Sequence, residues 1–405
     1  MSYVIVQLEV TQPLPTLEVP PDKTGVALIL RRHDRPVGLL LKPLPEPGPI
    51  SGAELADWIA QEIGAKLLQE QIRAELGTPP SPDHFPSLTV AICTKDRPDY
   101  VARLLRSLLP LQQTQGEPRF EILVVDNAPS DDRTKQLVTT CPSIRYTREP
   151  RAGLDFARNH ALREATGELL AFLDDDVVVD RHWLSGLQEA WAENPDAAAF
   201  TGLVLPYELE TEAQILFEQR GGFRRGFEKI RYGQVLPKNV EYPCGAGIFG
   251  AGCNMTFRRD LLQAIGGFDE ALDTGAPLPG GGDIDMFYRV IRAGYPLVYE
   301  PRYLVFHQHR QELDKLRRQY WSWGLGVMAF ITKSYQVDPT QRSKFLRLVV
   351  WWFKDKLGQL VRSVTAPEQF PPTMIWAELW GGITGLLGEY DRSCNRVAVI
   401  RRQYE

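Results

Sequence analysis

The spacing of apolar positions changes character twice along the 405-residue chain. Residues 3–10 alternate weakly, and 25–32 and 37–43 are short apolar runs flanking His33-Asp34-Arg35-Pro36, a pattern that predicts a hairpin. Ser51-Gly52-Ala53-Glu54 has capping-box spacing and predicts a helix to about Leu76. Residues 77–86 hold four prolines in ten positions and read as a linker. From Ser87 to about Arg310, apolar runs at 88–93, 121–125 and 169–173 alternate with helical spacing, as at 100–109. That alternation predicts an α/β layer with a mainly parallel sheet, in which ligands bind at the carboxyl ends of strands. Beyond Arg310 the strand signal stops, and 311–334, 341–364 and 373–392 have helical character. The expected organisation is a small α+β module (1–76), a linker (77–86), an α/β domain (87–310) and a helical region (311–405), without internal repeats.

Composition narrows the class. Hydrophobic residues at 43% and charged residues at 24% exclude a disordered, collagenous or fibrous chain. Lys+Arg 46 against Asp+Glu 51 leaves a net charge of −5, without the basic surplus of a nucleic-acid binder, so no nucleic-acid partner is expected. The five cysteines form no CxxC pair and read as free thiols in a reducing cytoplasm. The first twelve residues lack a basic segment followed by a long apolar one, and no window approaches 18 apolar residues. A cytoplasmic protein without signal peptide or membrane span is expected.

Candidate chemistry gathers where predicted strands end. The run 169–173 stops in Asp174-Asp175-Asp176, three like charges that repel unless a cation or a dense donor network offsets them. A hard divalent ion held by one or two carboxylates and substrate phosphates meets that need, and a solvated turn or helix cap is the plainer alternative. The run 121–125 leads into Asp126-Asn127, where an Asx turn is the plainer reading. Thr94 and Arg97 follow the first strand, with Arg97 able to reach a phosphate or cap a loop. Gly280-Gly281-Gly282 permits a tight loop and sets Asp283 near a helix start. Alternation in 305–310 puts His307 and His309 on one strand face as candidate metal ligands, and leaves open which of them binds. Gly221-Gly222-Phe223-Arg224-Arg225-Gly226-Phe227 suits either a loop closing over a diphosphate or acceptor, or a solvated basic loop.

Taken in order, these pieces form a recognisable series with Gly153…Ala157-Arg158-Asn159, Gly250…Asn254, Phe268-Asp269-Glu270 and Ala293-Gly294. Over residues 87–310 the chain resembles the family 2 type of nucleotide-sugar glycosyltransferases with the GT-A fold. The resemblance implies a Rossmann-like α/β domain, its mainly parallel sheet flanked by helices. It further implies inverting transfer from a nucleoside-diphosphate sugar, a UDP-sugar favoured, to a hydroxyl of a glycan, lipid-linked or protein acceptor, with Mn²⁺ or Mg²⁺. By the same likeness Thr94, Arg97 and Arg158 border the nucleotide, Asp126 holds the nucleobase, and Asp174 neighbours ribose or metal. Asp176 and His307 bind the metal, and Asp283 is the catalytic base. The family's motif commonly carries Glu where this chain has Gly282.

Two other classes compete. A sugar-phosphate nucleotidyltransferase would carry a glycine-rich loop after the first strand, where this chain reads Thr94-Lys95-Asp96-Arg97-Pro98. A non-catalytic binding protein of the same fold is the other. Residues 1–86 lie outside the resemblance and read as an oligomerisation or partner surface, as part of the acceptor site, or as a structural extension. In 341–366 six basic residues face one acid, and Leu346, Val349, Val350, Phe353, Leu357, Leu360, Val361 and Val364 form one helical stripe. That is the profile of a peripheral helix on the inner face of an anionic membrane, unless the stripe packs on the catalytic domain.

Overall fold

The computed structural model describes residues 1–76, 84–112, 120–236, 239–275, 277–367 and 371–404. Most of the expected linker therefore lies outside the described residues.

The N-terminal module is a three-stranded sheet of β1 (Tyr3–Glu9), β3 (Gly25–Arg32) and β4 (Arg35–Pro43), with a small ribbon of β2 (Leu17–Glu18) and β5 (Pro49–Ile50) and the helix α1 (Gly52–Leu76). The expected hairpin is β3–β4, antiparallel, turning at His33 and Asp34 with φ of 49° and 64°. Ser51 caps α1 by accepting the Glu54 N–H at 3.2 Å. β3 is apolar at nearly every position because both its faces are covered. Val26, Leu28 and Leu30 pack with Leu55 and Ile59 of α1, whereas Ala27 and Ile29 pack against the larger domain.

That domain is built from β6 (Leu88–Thr94), α2 (Pro98–Gln112), β7 (Glu121–Asn127), α3 (Arg133–Thr139), β8 (Ile144–Glu149), α4 (Leu154–Glu164), β9 (Leu169–Asp174), β10 (Val177–Val179) and α5 (Trp183–Glu193). It continues through β11 (Ala199–Pro206), α6 (Glu212–Gln219), β12 (Ile230–Tyr232), β13 (Asn254–Arg258), α7 (Arg259–Ala264), α8 (Gly282–Arg292) and β14 (Leu297–His307). The strands form one nine-stranded sheet in the order β10-β14-β11-β13-β9-β6-β7-β8, with β12 paired to β14. β6, β7, β8, β9, β11 and β14 run one way and β10, β12 and β13 the other, so the sheet is mainly parallel. Its central strands alternate between two cores, Ala91, Leu123 and Phe172 on one face and Ile92, Val124 and Leu173 on the other.

The C-terminal region is helical, with α9 (Leu313–Val337), α10 (Arg342–Arg362), α11 (Pro372–Thr384) and α12 (Tyr390–Tyr404). The single helix expected over 373–392 is two, because Leu387 and Gly388 leave helical geometry, Gly388 with φ 79°. The α10 stripe divides. Phe345, Leu348 and Trp352 form its buried face and Val349, Phe353 and Leu360 lean on the core, but Leu346, Val350, Leu357, Val361 and Val364 stay exposed.

Candidate active site

The carboxyl ends of β6, β7 and β9 lie level, because their register sets Thr94 beside Asp126 and Cys93 beside Asp174. β14 arrives from the other half of the sheet, where His307 pairs with Val177 and the Gln308 N–H donates to the Asp176 carbonyl at 2.9 Å. Topology thus brings Thr94, Asp126, the three aspartates and His307 to one edge.

The middle aspartate of the run, to which the motif reading gave no role, is held by two predicted nucleotide neighbours. Thr94 Oγ1 donates to Asp175 Oδ2 at 2.7 Å and Arg97 Nη1 to Oδ1 at 2.9 Å. Arg97 also lies 3.5 Å from Asp176 Oδ2. Asp176 Oδ1 is buried without a hydrogen-bond donor, and His307 Nε2 stands 3.3 Å from it. Burial, with His309 and Arg310 nearby, holds the His307 imidazole well below the usual range, so it is neutral. Asp126 is fully buried, its Oδ2 accepting the Tyr146 hydroxyl at 2.9 Å and its Oδ1 lacking a donor. Burial raises its pKa, with the Tyr146 bond opposing.

Arg158 lies beneath these groups, buried at 4% exposure. Its Nη1 donates to Asp155 Oδ1 at 2.9 Å, its Nη2 is 3.9 Å from Asp174 Oδ1, and Asp273 and Asp283 also raise its pKa. One guanidinium therefore serves four carboxylates. Burial raises Asp174, Arg158 pulls it back, and Asp176, Asp175 and Asp283 push it on to about 7. Burial likewise pushes Asp273 to about 6 and Asp155 well above the usual carboxylate range.

Asp283 stands in the first turn of α8 and faces the same cluster, its Oδ2 accepting the Gly252 N–H at 3.0 Å and its Oδ1 the Ile284 N–H at 2.8 Å. Asp285 points elsewhere, fully buried, with Arg289 Nε donating to its Oδ2 at 2.7 Å and Lys333 of α9 to its Oδ1. A Cβ on Gly282 would lie 2.0 Å from Asp155 Oδ2, so the Asp155 carboxylate occupies the space a side chain there would need.

His309, on the other side of His307, does not reach the carboxylates. Its Nδ1 is 2.9 Å from His307 Nδ1 and its Nε2 2.7 Å from Glu218 Oε1. Sequence reasoning missed Asp155, Tyr146 and Glu218. Glu218 did leave a signal, a carboxylate in the otherwise buried helix α6. Among the described residues no three His, Cys, Asp or Glu side chains form a preformed metal cage. Asp176 and His307 are a two-residue donor set whose orphaned oxygen and neutral imidazole fit a divalent ion completed by ligand oxygens.

Sheet order and flanking helices together place the fold in the GT-A class. The profile of Glycosyl transferase family 2 matches residues 89–266. Asp283 and His307 lie beyond that match. The chain is 29% identical over 259 residues to the pre-mycofactocin glycosyltransferase of Mycobacterium tuberculosis, covering 63% of this chain and 50% of that protein. It thus spans about half the length of that relative. It is 24% identical to the glucosyl-dolichyl phosphate glucuronosyltransferase of Haloferax volcanii, covering 68% of this chain and 87% of the relative. In three dimensions it resembles a mannosyltransferase from Pyrobaculum calidifontis, solved with GDP-Man and Mn²⁺, with a TM-score of 0.51, 18% identity, and coverage of 81% of this chain and 96% of that one.

Proposed function

We propose that this chain transfers a sugar from a nucleoside-diphosphate donor to an acceptor hydroxyl with inversion, supported by Mn²⁺ or Mg²⁺ at Asp176 and His307. The carrying observation is the contact at that point, a donorless buried carboxylate oxygen 3.3 Å from His307 Nε2. Two facing acceptors repel, and a cation between them turns the repulsion into attraction. The ion in the Pyrobaculum enzyme supports the same choice. When bound, the ion neutralises charge on the departing diphosphate.

The remaining work falls to the protein's own groups. Asp126 Oδ1 is the unengaged oxygen of its carboxylate, and it matches the one imide N–H of uracil, which favours a UDP-sugar. Arg97 and Thr94 hold the aspartate run in place. Asp283, anchored by the Gly252 N–H, takes the proton of the attacking hydroxyl on the face opposite the leaving group. One base and no enzyme nucleophile on the other face give inversion. The test is transfer from UDP- and GDP-sugars with Mn²⁺ or EDTA, read by NMR of the product's anomeric proton. Full activity in EDTA, or a retained anomeric configuration, overturns the reading.

A peripheral membrane contact and a lipid-linked acceptor are supported by the outer face of the C-terminal helices. Leu346, Val350, Trp351, Leu357 and Val361 of α10 and Val364 just past its end are each more than half exposed, as are Trp376 and Trp380 of α11. Arg342, Arg347 and Lys354 are exposed on α10. No helix of the described residues is long and apolar enough to cross a membrane, so the contact we infer lies in the interfacial plane. Failure to co-sediment with anionic vesicles at low salt would remove it.

A further inference from the structure

The groups behind His307 are arranged with more care than packing requires. Glu218 is fully buried in α6. A buried carboxylate is retained only against strong partners. Arg224 supplies one, its Nη1 3.2 Å from Oε2 and its Nη2 donating to the Glu218 carbonyl at 2.8 Å. The other oxygen, Oε1, is 2.7 Å from His309 Nε2. Phe217 lies edge-on to the His309 ring at 4.7 Å and Phe223 to the His307 ring at 5.0 Å. Gly222 takes φ 55°, and a Cβ there would stand 2.3 Å from Glu218 Oε1, the oxygen that meets His309. The glycine-rich loop 221–226, left without a role above, therefore shapes the seat of this carboxylate.

Hydrogen-bond bookkeeping sets the direction of the chain. An ionised carboxylate only accepts, so His309 Nε2 carries the proton that Glu218 Oε1 receives. A ring that carries only that proton presents Nδ1 as an acceptor. The 2.9 Å approach of the two Nδ1 atoms needs one proton, so His307 supplies it. His307 Nε2 is left with its lone pair, facing Asp176. The structure agrees at that end, since Asp176 Oδ1 has no donor although His307 Nε2 is 3.3 Å away.

We propose that Glu218, acting through His309, is a positioning residue that fixes His307 in the Nδ1–H tautomer and presents its Nε2 lone pair toward Asp176. The inference rests on the cation reading for its purpose, but the tautomer can be read without any cation. Second partners of this kind typically change metal affinity by about 10–100-fold when removed.

The test has two parts. Long-range ¹H–¹⁵N spectra of the metal-free, ¹⁵N-histidine-labelled protein, with His307→Gln and His309→Gln used for assignment, should show His307 protonated at Nδ1 and His309 at Nε2. A proton on His307 Nε2 overturns the proposal, whatever the variants do. Mn²⁺ titration in the presence of UDP, followed by EPR, should then show binding weakened about 10–100-fold in Glu218→Leu and within about threefold of wild type in Glu218→Gln, whose amide oxygen still accepts from His309. Gly222→Ala should reproduce the Glu218→Leu defect. Equal Mn²⁺ affinity in folded Glu218→Leu and wild type overturns the proposal. If wild type itself fails to bind Mn²⁺, the cation reading falls, and the tautomer spectrum still decides the relay.

Discussion

The seam between the N-terminal module and the larger domain, and the carboxylate cluster at the strand ends, both bury charge but balance it differently. At the seam the charges match. Arg31 pairs with Asp180, both side chains nearly inaccessible, and Glu189 receives Arg35 at 2.6 Å as well as Arg302. A cavity of about 400 Å³ lies there, and its charged lining includes Arg31, Asp180, Asp34 and Arg181, which pair with one another. At the strand ends Arg158 serves Asp155, Asp174, Asp273 and Asp283, and Asp126, Asp155 and Asp176 each keep an oxygen without a donor. Matched buried charge is architecture; a surplus of one sign marks where a ligand of the other sign belongs.

The largest expected effect is at Asp283. Asp283→Asn should keep donor binding and thermal stability while transfer falls about 10²–10⁴-fold, as measured by single-turnover kinetics. Unchanged turnover would move the base elsewhere. Asp285→Asn should show the opposite profile. It leaves Lys333 and Arg289 buried against a neutral amide, and denaturant titration should show a loss of about 3 kcal/mol with modest effect on the chemical step of the folded fraction.

Double substitution sharpens the contrast between the two regions. Arg31→Met alone should cost about 3 kcal/mol by stranding Asp180, and Arg31→Met with Asp180→Leu should recover most of it, because a matched pair is replaceable by apolar packing. At the strand ends Arg158→Met with Asp155→Leu should not restore transfer. Recovery of activity there would erase the distinction.

The pH behaviour follows from the same surplus. Because Asp174 is raised to about 7, the native state holds its proton more tightly than the unfolded chain. That group's contribution to stability is present at low pH and is lost as pH rises from about 4 to 7. A divalent ion favours the ionised form, so Mg²⁺ should lower the Asp174 midpoint in ¹³C-carboxyl NMR, and Mg²⁺ affinity should fall as pH drops below 7. A midpoint near 4 without the ion would contradict the assignment. The smallest stability effect is expected at the exposed α10 face, where Val361→Glu should alter stability by no more than about 0.5 kcal/mol yet reduce vesicle binding.

The sheet was legible because its strands carry their period openly, and Leu169–Leu173 running into three aspartates announces a strand end. Asp126, Asp174, Asp176 and Asp283 were legible because each sits at the end of an apolar run or the start of a helix. What stayed hidden depends on closure between distant segments. Nothing near Gly282 says that Asp155, 127 positions earlier, fills its side-chain space. Nothing near His309 says that its ring meets Glu218, 91 positions away. The α10 stripe misled in part for a related reason. Periodicity finds an apolar face but not its partner, and the helix buries Phe345, Leu348 and Trp352 on another side.

The proposed chemistry requires the strand-end carboxylates to hold a cation together with a nucleoside diphosphate. Isothermal titration of UDP and GDP into wild type and Asp176→Asn, each with Mn²⁺ and with EDTA, measures this directly. Binding to wild type should require Mn²⁺, be tighter for UDP, and be at least about tenfold weaker in Asp176→Asn. Equal affinity in EDTA, or in Asp176→Asn, would contradict it.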